Sequence, residues 1–185
     1  MDGLLVKDDL NVKKIIIVEE TKKTSTKKIN CEKEKKMRVE TKSWGLNEED
    51  LLHDTQFSIL KSIIHNEKNK YANLFVTHIK SKICSYRQQD TLKKRLDENL
   101  LVDFEEVLRL LVTCEMKCCY CSQNVYILYE KVRESKQWSL DRINNDIGHN
   151  KDNLLIACLE CNLKRRRTNK DAFMFTKNMV IIKER

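Results

Sequence analysis

The sequence predicts an α+β chain, with helices through the N-terminal and middle parts and a small metal-stabilised module at the C-terminal end. Three observations carry that expectation. Apolar residues recur at steps of three and four between Leu46 and Val112, the period of a helix with one buried face. Two Cys-x-x-Cys units, Cys118–Cys121 and Cys158–Cys161, lie in the last third, with 36 residues between Cys121 and Cys158. Between and after them run an alternating segment, a polar loop, an apolar segment and a basic stretch, in the order strand, loop, strand, helix. These marks divide the chain into a basic arm, 1–45, a helical domain, 46–113, and a zinc-binding domain, 114–185.

Taken in order, Ile15-Ile16-Ile17-Val18 is an apolar island with the composition of a strand. Glu19 to Lys42 holds too little apolar surface to offset its ordering entropy, so the arm is expected to be flexible or to order on a protein partner. Asn47 followed by Glu48, Glu49 and Asp50 has the form of a helix N-cap with an acidic first turn. Leu52, Ile59, Leu60, Ile63 and Ile64 then supply a stripe. A second helix spans Tyr71 to Tyr86 through Leu74, Phe75, His78, Ile79, Lys82 and Ile83. A third spans Asp103 to Val112, with Phe104, Val107, Leu108 and Leu111 on one face. His78 falls within an apolar stripe and reads as a core or boundary histidine. His65-Asn66-Glu67 matches the His-x-Glu of zinc deaminases, but that reading leaves the second cysteine pair without a role.

The charge is uneven. The chain carries +8 over 185 residues. The arm has 12 basic against 8 acidic side chains, the helical stretch 10 against 11, and the last stretch 14 against 9. A basic end suits a polyanion, because each neutralised phosphate releases condensed counterions. No stretch approaches the roughly 18 apolar residues of a membrane span, and Met1-Asp2-Gly3 opens into mixed charges rather than a secretory leader. The expected setting is an intracellular reducing compartment, where clustered cysteines bind metal in preference to forming disulfides.

Two Cys-x-x-Cys units supply four thiolates, the number that closes a tetrahedral structural zinc site, and each short spacing lets one turn present two sulfurs. Cys118 is preferred to Cys119 because a Cys119/Cys121 pair has only one residue between its members. Cys31, Cys84 and Cys114 have no partner in sequence and read as ordinary residues. A closed site of this kind does no chemistry itself, so any catalysis needs other groups. Trp138, Leu140 and the residues near Ile143 alternate as a strand does. Asn144 to Asp152 is a polar loop, Asn153 to Ala157 a second strand, and Cys158 opens a basic helix through Lys164-Arg165-Arg166-Arg167. Trp138 reads as core before it reads as a base-stacking platform.

The run Leu140-Asp141-Arg142-Ile143, then Gly148, Asn153-Leu154 and Cys158-x-x-Cys161-Asn162 with its basic tail, resembles the HNH nuclease motif of the ββα-metal fold. The resemblance covers about residues 116–170. It implies a DNA endonuclease hydrolysing phosphodiester bonds, with Asp141 and Asn162 holding a catalytic magnesium or manganese ion and Asn153 bracing the loop. It also implies duplex or branched DNA as partner, and a homodimer in those relatives that cut both strands. One position departs from the pattern. Arg142 stands where the family has its general-base histidine, as it does in HNH-like sequences of phages and large DNA viruses. Arginine stays charged and takes up no proton at neutral pH, so it suits phosphate contact without supplying a base. Either His149, in the same loop, accepts the proton, or cleavage is lost and a nucleic-acid-binding or interaction protein remains. Each residue also has a plainer role: Asp141 as a strand-end carboxylate paired with Arg142 or capping the following loop, His149 as an exposed loop residue, Asn162 as a helix residue bonded to the loop, and Lys164–Arg167 as a solvated face.

Overall fold

The periodic stretch between Asn47 and Thr113 folds as three α-helices in a computed structural model that describes residues 15–19 and 36–184. They are α1 (His53–Ile64), α2 (Ala72–Leu92) and α3 (Phe104–Thr113). The acidic run after Asn47 forms a short 3-10 turn, Glu48–Leu51, in which the Asp50 carboxylate accepts the Asn47 main-chain N–H at 2.9 Å. The α-helix proper therefore starts later than the capping pattern implies. α2 runs six residues past Tyr86, because its stripe of Phe75, Ile79 and Tyr86 continues one turn further through a buried acid, Asp90. α3 starts where expected: Asp103 Oδ1 accepts the Glu106 N–H at 2.9 Å, satisfying one of the free donors of the first turn.

The module that follows contains β2 (Trp138–Arg142), β3 (Leu154–Cys158), α4 (Leu159–Arg165) and α5 (Lys170–Lys177). β2 and β3 pair antiparallel, from Trp138 opposite Cys158 to Arg142 opposite Leu154. β2 is buried on both faces, although its sequence alternates. Trp138 and Leu140 enter the core, while Ser139 and Asp141 meet α4 through Asn162 and Arg165. The cost of burying these polar groups is met by those hydrogen bonds. α5 adds a helix that the sequence pattern does not announce. Asn169 caps it by accepting the N–H groups of Asp171 and Ala172, at 2.8 and 3.2 Å.

One core runs across the boundary at residue 113. Ile59 and Leu60 of α1, Phe75 and Ile79 of α2, and Val107 and Leu111 of α3 join Trp138, Leu140 and Ile156 in a continuous buried cluster. Gln56 stitches α1 to the segment before β2. Its amide donates to Leu51 O and Leu128 O and accepts from the N–H groups of Ile127 and Leu128, all at 2.9–3.0 Å. His78 lies at the boundary of this core, with Trp44 edge-on at 4.8 Å.

The apolar island forms β1 (Ile15–Glu19), which pairs parallel with a further strand, β4 (Val180–Glu184), in the register Ile15 opposite Val180. The expectation of a flexible arm falls, for residues 1–14 and 20–35, outside the described residues. The end of the arm, from Lys36, is tied to the module: Arg38 N–H donates to Glu130 O, and Val132 N–H to Lys36 O. No helix among the described residues is long and apolar enough to cross a membrane.

Candidate metal centre and the clamp beside it

Cys118, Cys121, Cys158 and Cys161 come together at the start of α4. Their sulfurs all lie within 4.8 Å of one another, and Cys121 Sγ and Cys158 Sγ are 3.9 Å apart. That spacing suits one ion at the centre, since metal–sulfur bonds of about 2.3 Å in a tetrahedron put sulfurs just under 4 Å apart. The chain is shaped to produce it. The first pair sits on a tight turn closed by Cys118 N–H to Gln123 O and Ser122 N–H to Cys118 O, both 2.9 Å, with Ser122 in the left-handed region (φ 55°). The second pair straddles the first turn of α4, where Cys158 Sγ caps the helix by accepting the Cys161 N–H at 3.4 Å. The Cys119 N–H bonds Ile156 O, which locks the turn to β3. The four cysteines can hold a metal ion, and they join two segments that are distant in sequence.

Tyr120, between the first two cysteines, carries no signal of a role in the sequence. The metal turn points it inward, and its hydroxyl donates to Asp141 Oδ2 at 2.6 Å. Phe173 of α5 packs edge-on to its ring at 5.0 Å. The other Asp141 oxygen, Oδ1, accepts from Arg165 Nη1 at 2.7 Å. Asp141 and Arg165 are 3 % and 1 % exposed, so the pair is internal. Burial raises the Asp141 carboxyl above its ordinary value, and Tyr120 and Arg165 pull it back. Arg165 also donates to the carbonyls of Arg142 and Ile143, at 2.7 and 2.9 Å. It thus clamps the end of β2 to α4.

Two expectations are corrected here. Arg165 does not belong to the exposed basic run, because its guanidinium is consumed inside the fold by one carboxylate and two carbonyls. Asp141 pairs with Arg165 rather than with Arg142, and neither of its oxygens is without a hydrogen-bond partner. Both are already engaged, and a cation stands against one of them. Asn162 lies on the same side: its amide donates to Ser139 Oγ at 3.1 Å and to Leu140 O at 3.2 Å.

His149 is neither exposed nor free. It is 4 % exposed, its main-chain N–H and its Nδ1 meet Asp90 Oδ2 at 2.6 and 2.8 Å, and the Tyr86 ring lies 4.3 Å from its own. Burial lowers its pKa, with Asp90 opposing. Arg142 faces Asp90 Oδ1 at 3.8 Å and donates to Ile147 O at 3.1 Å. The loop between β2 and β3 is thereby gripped from inside. Asn153 spans it, donating to Asn144 O and Gly148 O and accepting the Asn144 N–H, while Arg95 bonds Asn145 O. Gly148 fits because a Cβ there would meet Arg95 O at 2.6 Å. Asp90 and Tyr86, four residues apart on α2, are legible in sequence only as an extension of its stripe.

Three cations of the run stay at the surface. Lys164 pairs with Glu160 at 2.5 Å and Arg167 with Asp146 at 2.6 Å. Arg166, where α4 ends with φ 53°, has no side-chain partner among the described residues. No protein-family model, curated protein or solved structure matches the chain.

Proposed function

We propose that this chain is a zinc-stabilised, HNH-like nucleic-acid-binding protein whose Asp141 is neutralised by an internal arginine rather than by a divalent ion. The observation that carries this reading is the buried Arg165–Asp141 pair at 2.7 Å. A dication placed on that carboxylate would stand against a guanidinium in a site sheltered from water, where like charges repel strongly. The four cysteines would hold zinc, which suits a closed tetrahedral set of thiolates. Phosphates would meet Lys164, Arg166 and Arg167 around the C-terminal end of α4. The reading leaves Arg142 and His149 as braces of the loop, in keeping with their shared partner Asp90.

A metal-dependent endonuclease is the second reading. It is favoured by Asn162, whose Oδ1 accepts no hydrogen bond among the described residues and whose side chain lines an open cleft with Ser139 and Arg166. That reading requires Arg165 to leave Asp141.

Reversing Lys164, Arg166 and Arg167 to glutamate tests the binding surface, since all three are exposed and none is in the core. Gel shifts across a salt series should show binding weakened more than tenfold. The slope of log affinity against log salt should fall by about 0.9 for each phosphate of duplex DNA that is no longer neutralised. An unchanged affinity and slope would remove α4 from the interface and leave the zinc site as a folding staple alone.

A further inference from the structure

Three cavities lie end to end along one face of α2. The first, about 740 Å³, is bounded by Trp44, Tyr71, Lys70 and His78. A narrow one of about 150 Å³ follows and shares Arg38, His78 and Ser81 with the first. The third, about 530 Å³, shares Lys82 and Ser85 with the narrow one and ends between Lys93, Asn162 and Arg166. Leu74, His78, Ser81, Ser85, Gln89 and Lys93 recur along this face at steps of three and four, so a single helix forms the floor. From Leu74 to Lys93 that floor is roughly 30 Å long, at 1.5 Å per residue.

The chemistry of the lining is one-sided. Arg38, Lys70, Lys82, Lys93 and Arg166 face the cavities, and Glu40 is the one acid among their lining residues. Glu40 is itself taken by Arg38 at 2.6 Å. Three of these cations, Lys70, Lys82 and Lys93, come from the stretch of sequence whose charges otherwise balance. Lys93 and Arg166 have no side-chain hydrogen bond or ion pair among the described residues, and Arg38 Nη1 is buried without a hydrogen-bond partner. Lys82, on the inner wall, spends its ammonium on Trp138 O and Gln137 Oε1. Burial, with Arg38 a lesser cause, pushes its pKa down to about 7, so Lys82 is a weaker cation than the others. At the wide end, Trp44 and Tyr71 are half-buried and offer ring surface, each with a cation over it: Arg38 at 5.4 Å from the Trp44 centroid and Lys70 at 4.8 Å from that of Tyr71.

We propose that these cavities form one groove for single-stranded nucleic acid, running along α2 from Trp44 to the C-terminal end of α4. The proposal rests on the nucleic-acid-binding reading above and narrows it to an unpaired strand. The middle cavity, about 150 Å³, is the smallest of the three, which suits a single strand better than a duplex. Cations that follow the backbone, with aromatic faces for the bases, are the two elements of sequence-tolerant single-strand binding, and the groove's length suits a site of several nucleotides.

The test is fluorescence anisotropy on the full chain, loaded with zinc, using a labelled 15-nucleotide oligothymidylate and a labelled duplex of the same length. Two variants accompany it. Ser81→Glu with Ser85→Glu puts two negative charges on the floor at exposed positions, and Trp44→Ala removes the stacking face. The single strand should bind at least tenfold more tightly than the duplex. The double glutamate variant should lose at least tenfold in single-strand affinity with its thermal midpoint unchanged. Trp44→Ala should lose roughly five- to a hundredfold, with the salt slope preserved, as stacking carries no counterions. Tighter binding to the duplex, or full single-strand affinity in the double glutamate variant, overturns the groove. If the Lys164, Arg166 and Arg167 reversals still abolish duplex binding in that case, the broader reading stands. Failure of both oligonucleotides to bind at low salt overturns both.

Discussion

Serine at Cys158 is expected to unfold the chain as a whole. The substitution removes one ligand of the four-cysteine site and the sulfur that caps α4 through the Cys161 N–H. Structural zinc contributes roughly 10–16 kcal/mol to small zinc peptides, which matches or exceeds the total stability of an ordinary domain, about 5–15 kcal/mol. The loss spreads because β2 and β3 share their core with α1, α2 and α3. Near-ultraviolet circular dichroism reads this out, since Trp138 is one of two tryptophans and is 1 % exposed. The Trp138 signal and the helical far-ultraviolet signal should fall together in Cys158→Ser, and a strong chelator should do the same to the unmodified chain. Loss of the tryptophan signal with full helicity would instead show that the module melts alone. A chelator that changes neither signal would mean that no metal supports the fold.

Methionine at Arg165 has the next largest effect. It leaves the Asp141 carboxylate buried against Tyr120 with no cation, and removes the bonds that hold the carbonyls of Arg142 and Ile143. Breaking one side of a buried pair costs about 3–5 kcal/mol. Adding Asp141→Leu should recover much of that, because an apolar pair of similar volume avoids the desolvation penalty altogether. Urea unfolding of the single and double variants measures both quantities. A single variant within about 0.5 kcal/mol of the parent, the scatter expected of a neutral surface change, would show that the clamp is not a structural element. Arg165→Met also frees Asp141 Oδ1. If the variant, but not the parent, then binds manganese, the guanidinium is what excludes the ion.

Much of this architecture is legible in the sequence because its signals are local. The stripe Phe104, Val107, Leu108 and Leu111 marks α3 by spacing alone. Cysteine pairs at i and i+3 mark the metal turns, because each turn fixes its own geometry. The parts that escape depend on tertiary pairing. A run of four basic residues looks uniform in sequence, yet one lies inside the fold, because Arg165 is the member whose helical position faces the end of β2. His149 in a polar loop looks exposed, but Asp90, 59 positions earlier, buries it. Tyr120 looks like filler between two ligands, although the turn those ligands build is what aims its hydroxyl at Asp141. The C-terminal Val180-Ile181-Ile182 has the composition of a strand, but its partner β1 lies at the other end of the chain, and no local pattern announces that pairing.

The central claim is that the module binds nucleic acid while Arg165 holds Asp141 away from divalent ions. It is tested most directly by incubating the zinc-loaded chain with supercoiled plasmid, with and without magnesium or manganese, beside an Asp141→Ala control. The account predicts retarded plasmid mobility without nicking for the parent chain, whichever divalent ion is present. Metal-dependent nicking by the parent that vanishes in Asp141→Ala would contradict it and establish an endonuclease in which Arg165 yields its partner to the ion.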